Sequence, residues 1–548
     1  MKVLSLLLVC VSVASASFDT SVMLEVTPDG AFFIPASTSA IPAAQVTPAP
    51  SSSLLWHYSQ ATGLTQKTCP MGNSGEFVLT GGWYGGGRMF EGVSGDGTVF
   101  WQNEPELESG QYWTSLGTGT SAADTADRYW LARTFDVWND NGTPGYTPDD
   151  FLVSDDNVEV CLFGGASSVP VWIWNGAGAF GTGSLDQAGT YDCSTDGSVF
   201  ALGGLKDGHL AVAVFEHGSP EPVLLYENAD YTYSPRQLRL TADGSKIIFS
   251  VGATLLRVDV ATGALEGTFN LGASTDCFGV SADGSLVAFG FTAARLAQWN
   301  GSAYEQAWSR GVSGYYAGSA TVSDDNSTVY FGFYKSNYMS NRIYRFDAAS
   351  STPVWTYDYP AGSGSNQDIV SWMDCSSNGR WLAVSSWGCQ SGGGPEVTVL
   401  DDQNPEAPVF TIDTPGSMFH VDISADGSLV SAAGKHVHAN VFGSGTDVFM
   451  AEVTTTGIEG GEPSVPMLSV SPNPCAGAAV FAVNIPVSAV VELAVFDIAG
   501  RRVSTLFSGM LGAGIHSFPC SFDLAGGLYL VRASAGEHVA VSKIIITI

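Results

Sequence analysis

The chain has 548 residues, 14% of them charged, with 53 acidic against 21 basic residues and a formal charge of -32. That length allows more than one domain and a large buried core, and an apolar share of 45% is ordinary for a chain that folds. The negative field repels a phosphate backbone and so excludes nucleic acid as a partner, while cations, basic surfaces and neutral glycans stay open.

Residues 1–16 read as a signal peptide: Lys2 is the positive start, Val3 to Val13 the apolar centre, and Ala14-Ser15-Ala16 the small-residue cleavage site. Cys10 follows Val9, where a lipoprotein anchor needs a small residue. No later stretch is long and apolar enough for a transmembrane helix. Removal of the signal leaves eight cysteines, six before residue 456 (Cys69, Cys161, Cys193, Cys277, Cys375, Cys389) and two after it (Cys475, Cys520). An even count in an exported chain predicts disulfides closed within each part, with buried free thiols as the alternative.

Residues 17–50, rich in Ala, Pro, Ser and Thr, read as a tether. Across residues 51–455 a unit then recurs about every 40 to 50 residues, the period of four-stranded propeller blades. Its marker is a hairpin turn: Ser194-Thr-Asp-Gly-Ser198, Thr241-Ala-Asp-Gly-Ser245, Ser281-Ala-Asp-Gly-Ser285, Ser323-Asp-Asp-Asn-Ser327, Ser376-Ser-Asn-Gly-Arg380 and Ser424-Ala-Asp-Gly-Ser428. Asp-Gly and Asn-Gly accept the positive φ of a tight turn, and the leading Ser or Thr can hydrogen-bond the turn backbone. Degenerate copies lie near Asn73-Ser74-Gly75 and Ala126-Asp127. Each unit closes on a short run, usually aromatic, that reads as an outermost strand: Val99 to Trp101, Val171 to Trp174, Val223 to Tyr226, Leu265 to Phe269, Tyr304 to Trp308, Val354-Trp355 and Val409-Phe410. The last hairpin has no such strand after it, and Leu54 to Tyr58 fits the gap, pairing beside about Thr446 to Val453. The expectation is an all-β chain: an eight-bladed β-propeller, or a seven-bladed one, followed by a C-terminal Ig-like β-sandwich. The units resemble those of quinoprotein-like and WD40-like propellers, a likeness that speaks for architecture and not for activity.

A linker at 456–466 leads into residues 467–548. There Pro472-Asn473-Pro474 opens the segment, Asp497 to Gly500 and Arg501 form a hairpin, Gly527 to Tyr529 begins a strand, and Lys543 precedes an apolar end. This order resembles the C-terminal sorting domain of the type IX secretion system, and more broadly the Ig-like domain of flagellar hook-capping proteins. The resemblance implies recognition by an outer-membrane translocon and a destination outside the cell or on its outer surface, reached through the periplasm.

Catalytic signatures are few: the chain has no Gly-x-Ser-x-Gly elbow, His-Glu-x-x-His, Walker loop or dinucleotide fingerprint. Quinoprotein dehydrogenases place adjacent cysteines beside the quinone, and no Cys-Cys pair occurs, so the resemblance transfers no catalytic residue. Asp192, Asp374 and Asp422 stand four residues before the Asp or Asn of their turns, and Arg239 fills the same slot in a fourth unit. Equal offset in a repeat predicts equal depth on innermost strands, a ring that could bind a cation or polar ligand. The structural alternative is carboxylates that accept backbone N–H groups between blades. An insertion from Asp136 to Asn157 carries Asn139, Asn141 and Gly142 as in a calcium loop, with Asp149 following, but Val137 stands where Asp should open it. Calcium is the one cofactor these residues suggest, and a solvated acidic loop is the alternative. His436-Val-His438 puts two imidazoles on one strand face without a third ligand nearby in sequence. Two functions remain: a displayed binding or adhesion protein for an extracellular ligand or glycan, and a secreted polysaccharide- or peptide-degrading enzyme using channel carboxylates.

Overall fold

The computed structural model describes residues 22–27, 30–35, 45–48, 53–60, 65–68, 77–82, 90–94, 99–121, 128–142, 148–164, 167–176, 190–366, 368–438, 445–453, 467–471, 478–485, 489–497, 501–511, 514–521, 524–535 and 538–546. The signal, the linker, Pro472 to Pro474, Gly500 and the two degenerate turns lie outside them. The chain forms two compact units, Met1–Thr455 and Thr456–Ile548. All described regular structure is strand.

In the first unit, eight antiparallel sheets of four or five strands follow one another among the described residues, with two small two-stranded pairs besides. Their first strands are Thr65–Thr68, Gln111–Ser121, Tyr191–Cys193, Gln237–Leu240, Cys277–Val280, Tyr315–Val322, Val370–Cys375 and Met418–Ile423. Each first strand neighbours the first strand of the next sheet, and that of the eighth neighbours that of the first. Middle strands are buried on both faces, as at Leu286–Gly290 and Val397–Asp401, and the first of these is a continuous apolar run. Fourth strands alternate, as at Pro353–Asp358, because only one face is covered. The cores lie between successive sheets: Trp130, Val160 and Leu162 of the second pack with Phe200, Leu202 and Phe215 of the third, and Trp381 and Val399 of the seventh with Val421 and Phe449 of the eighth.

The repeated turn joins first and second strands. In the third sheet Ser194 Oγ donates to Asp196 Oδ1 at 2.7 Å, Asp196 Oδ1 accepts the Ser198 N–H at 3.0 Å, and Ser194 Oγ accepts the Val199 N–H at 3.0 Å. The same three bonds recur at Thr241, Ser281, Ser323 and Ser424. The fourth turn residue has φ between 61 and 79, which is why it is Gly or Asn. Turns also tie sheet to sheet: the Thr195 N–H donates to Ala242 O, and the Ser377 N–H to Ala425 O.

The eighth sheet is completed from the N-terminus. Ser53–Gln60 pairs antiparallel with Thr446–Glu452, from Thr446 opposite Gln60 to Glu452 opposite Ser53. Part of the expected tether is also strand: Val22–Thr27 pairs with Gly30–Pro35, and Gln45–Pro48 adds a fifth strand to the seventh sheet along Phe410–Asp413. That fourth strand has only four residues and leaves an edge open to pairing.

The disulfides expected in the first unit are not found among the described residues. Cys161, Cys193, Cys277, Cys375 and Cys389 are joined in no disulfide. Four of them sit on four different sheets, three on first strands, so the even count reflects small apolar side chains spread around the ring. Burial pushes the Cys161 thiol up to about 12, which keeps it protonated and inert.

The second unit has a three-stranded sheet (Met467–Ser471, Ala478–Ile485, Gly514–Ser521) and a four-stranded one (Arg502–Leu511, Ala489–Asp497, Gly527–Ala535, His538–Ile546). They share one core in which Phe481 and Phe518 of the first meet Val491, Leu493, Val531 and Ile544 of the second.

Candidate functional site

The slot four residues before each turn is occupied by Asp192, Arg239, Gly279, Thr321, Asp374 and Asp422 in the third to eighth sheets. Asp192, Thr321 and Asp374 reach the next sheet's first strand. Asp192 Oδ2 accepts the Leu240 N–H at 2.8 Å, and Asp374 Oδ2 accepts the Ile423 N–H at 3.3 Å. The Thr321 hydroxyl lies 3.7 Å from Cys375 Sγ. At Gly279 the next strand comes so close that a Cβ would sit 2.6 Å from Ala320 O. First strands of successive sheets are neighbours without a shared ladder, so these side chains supply bonding that a continuous sheet would make.

The slot also brings distant sheets together. The Arg239 guanidinium carbon stands 4.9 Å from the centre of the Trp372 ring, a cation–π contact between the fourth and seventh sheets. Trp372 packs against His420 with ring centres 4.8 Å apart. Asp374 hydrogen-bonds the Asp422 carboxyl, and Asp192 and Asp374 both interact electrostatically with Arg239. The four residues predicted for this ring are therefore neighbours. Burial pushes Asp192 up to about 6, partly offset by Arg239 and the Leu240 N–H. Burial also raises Asp374, against the opposing bonds from Asp422 and Ile423. The pair can hold a proton between two carboxyls, and Arg239 supplies a fixed positive charge.

Sequence reasoning missed Trp372 and His420. Both stand two residues before a slot Asp, and alternate residues of a strand point the same way; the signal was in the strand period.

The remaining candidates are dispersed. In the insertion, Asn139 Oδ1 accepts the Asn141 N–H at 2.8 Å, Asp140 Oδ1 accepts the Gly142 N–H at 2.9 Å, and Asn141 Nδ2 donates to Asp149 Oδ2 at 3.3 Å. Asp136 lies further along the strand Arg128–Asn139. No group of three or more metal-ligating side chains occurs among the described residues. His436 and His438 diverge: His436 Nε2 lies 3.1 Å from Asp447 Oδ1, and His438 Nε2 lies 3.0 Å from Glu396 Oε1. Ser59 Oγ also contacts His436 Nε2, at 2.9 Å. Serine and aspartate share one ring nitrogen, so this is not the relay of a Ser-His-Asp triad, which uses both.

In the second unit, Asp497 Oδ1 accepts the Arg501 N–H at 2.9 Å and Asp497 Oδ2 accepts from Arg501 Nε at 2.8 Å, closing the hairpin turn. Tyr529 donates its hydroxyl to Ala525 O at 2.9 Å at the start of Gly527–Ala535. Lys543 is exposed between strand residues whose neighbours Ile544 and Ile546 are buried.

Residues 469–547 match the secretion system C-terminal sorting domain family. The protein carries the type IX sorting tail and is exported to the cell surface or secreted. No curated protein matches the chain. No helix among the described residues is long and apolar enough to cross a membrane.

Proposed function

We propose that residues 51–455 form an eight-bladed β-propeller, closed by the N-terminal strand, that binds an extracellular ligand without catalysis, and that residues 467–548 are the Ig-like sandwich that takes it through the type IX translocon. The cyclic order of neighbouring first strands and the pairing of Ser53–Gln60 with Thr446–Glu452 support the propeller. The observation that carries the binding reading is the use made of the slot: its carboxylates accept N–H groups of the next sheet, and Arg239 lies across the ring on Trp372. These side chains hold blades together.

The Asp374–Asp422 carboxyl pair favours a second reading, a hydrolase using it for acid–base work. Incubating the full chain with polysaccharides and with denatured protein separates the two. The binding reading expects no new reducing ends or amino termini. Hydrolysis that disappears in Asp374→Asn/Asp422→Asn would replace it with the enzyme.

A further inference from the structure

Four aromatic rings touch in succession, the last two of them stacked, at the end of the fifth and sixth sheets opposite the repeated turns. Phe291 follows the second strand of the fifth sheet, Tyr316 opens the first strand of the sixth, Tyr334 ends its second strand, and Tyr338 lies in the turn beyond. Successive ring centres are 5.3, 5.8 and 5.6 Å apart; the first two contacts are tilted, by 51° and 38°, and the last two rings are within 14° of parallel. Phe291 and Tyr338, at the two ends, are 52% and 39% exposed, and the two inner rings are half-buried.

Backbone bonds from neighbouring strands tie down the segments that carry these rings. The Ala317 N–H donates to Phe291 O at 2.7 Å, the Ser336 N–H to Gly314 O at 3.0 Å, and the Asp368 N–H to Tyr338 O at 3.3 Å, which joins the turn to the seventh sheet. Tyr338 has φ +56, a strained conformation for an aromatic residue that lays its ring on Tyr334. Burial of a ring does not require that strain, because Tyr338 is exposed. Beside the cluster, Arg236 and Asp276 form an exposed two-bond pair, Nε to Oδ1 at 2.5 Å and Nη2 to Oδ2 at 2.7 Å, and Asp276 is near enough to Tyr334 to act on its hydroxyl. Burial, with smaller contributions from Tyr338 and Asp276, pushes that hydroxyl up to about 12, so it remains a donor.

We infer that the cluster from Phe291 to Tyr338, with Arg236 and Asp276 at its rim, binds a neutral polysaccharide; this rests on the binding reading above. A pyranose ring has an apolar C–H face that covers an aromatic ring and a rim of hydroxyls that takes planar polar partners. The cluster supplies rings, phenolic hydroxyls and a guanidinium–carboxylate pair near one another. A net charge of -32 disfavours acidic glycans and nucleic acid, and a preset cluster lowers the ordering cost of binding.

Affinity electrophoresis of the full chain through gels holding soluble β-1,3-glucan, xylan, galactomannan or α-glucan tests this. Retardation by at least one neutral polysaccharide is expected, with affinity reduced about tenfold per ring lost and so about 100-fold in Phe291→Ala/Tyr338→Ala. Tyr338→Trp should bind, which separates ring loss from misfolding, and unchanged melting of the double variant checks the fold. Equal binding by wild type and double variant would overturn the site and leave the binding reading standing, with its ligand elsewhere. Binding only to acidic polysaccharide or to an immobilised apolar peptide, or no binding by the wild type, would also overturn it.

Discussion

Asp192 shows how one side chain can hold the ring together and still make it sensitive to pH. Its folded pKa, raised by burial to about 6 against an ordinary 3.8, means that the folded state takes up a proton more readily than the unfolded chain. The associated stability is fully present below pH 3.8 and is lost as pH rises through about 6. The size of that loss is at most about 3 kcal/mol. Asp192→Asn keeps an oxygen for the Leu240 N–H and removes the titration. Urea unfolding should therefore show a wild-type decline between pH 4 and 7 that is shallower in the variant, where Asp374 keeps its own share, and parallel curves would refute the assignment. Arg239 already supplies positive charge to this ring, so calcium has little to gain there. Calorimetry should give the same calcium heats for wild type and for Asp374→Ala/Asp422→Ala; loss of binding in the variant would make the ring a cation site.

At the scale of elements, the seam between the two ends of the first unit concentrates charge. Asp447, in the third strand of the eighth sheet, is 1% exposed, and its Oδ1 meets His57 Nε2 of the N-terminal strand at 2.6 Å and His436 Nε2 at 3.1 Å. Burial alone would raise its pKa, but the two histidine bonds outweigh it and hold it below the ordinary value. Its stabilising share is present above pH 3.8 and disappears as pH falls below it, opposite in sign to Asp192. Asp447→Ala leaves the buried His436 without this carboxylate and should cost about 2 to 4 kcal/mol in chemical denaturation. A loss under 0.5 kcal/mol would mean that the backbone pairing alone holds the strand. Deleting residues 45–60 bares the edges of Thr446–Glu452 and Phe410–Asp413, and exposed edges aggregate. Gel filtration should show oligomers, reduced by adding a peptide of residues 51–61 in trans.

These elements differ in how far the sequence announces them. The Asp-Gly turns, the fourth strands and the partner of Leu54 to Tyr58 are local patterns repeated at a fixed period, and repetition makes a gap visible. The contact of Arg239 with Trp372 joins residues of sheets three apart, and no local pattern encodes a meeting that depends on the whole ring. The cluster of Phe291, Tyr316, Tyr334 and Tyr338 has no regular spacing for the same reason, since its members come from two strands and two turns. Gln45–Pro48 was hidden by a composition that reads as tether, because an edge strand is specified by the edge it covers. The cysteines misled for a different reason: parity counts thiols and says nothing of which strands carry them.

For the whole molecule, the proposed function divides labour between the two units: the first binds and the second, which matches the sorting domain, exports. The tail was the most legible part of the chain, since several motifs in fixed order identify it without tertiary information. The proposed ligand of the first unit was the least legible, because binding surfaces assemble from loops of separate sheets. The most direct test removes residues 465–548 and follows the rest in the native host by cell fractionation, surface proteolysis and immunodetection. The account predicts a folded, protease-resistant first unit retained in the periplasm, with the full chain at the surface or in the medium. A truncated chain that still reaches the surface would contradict it.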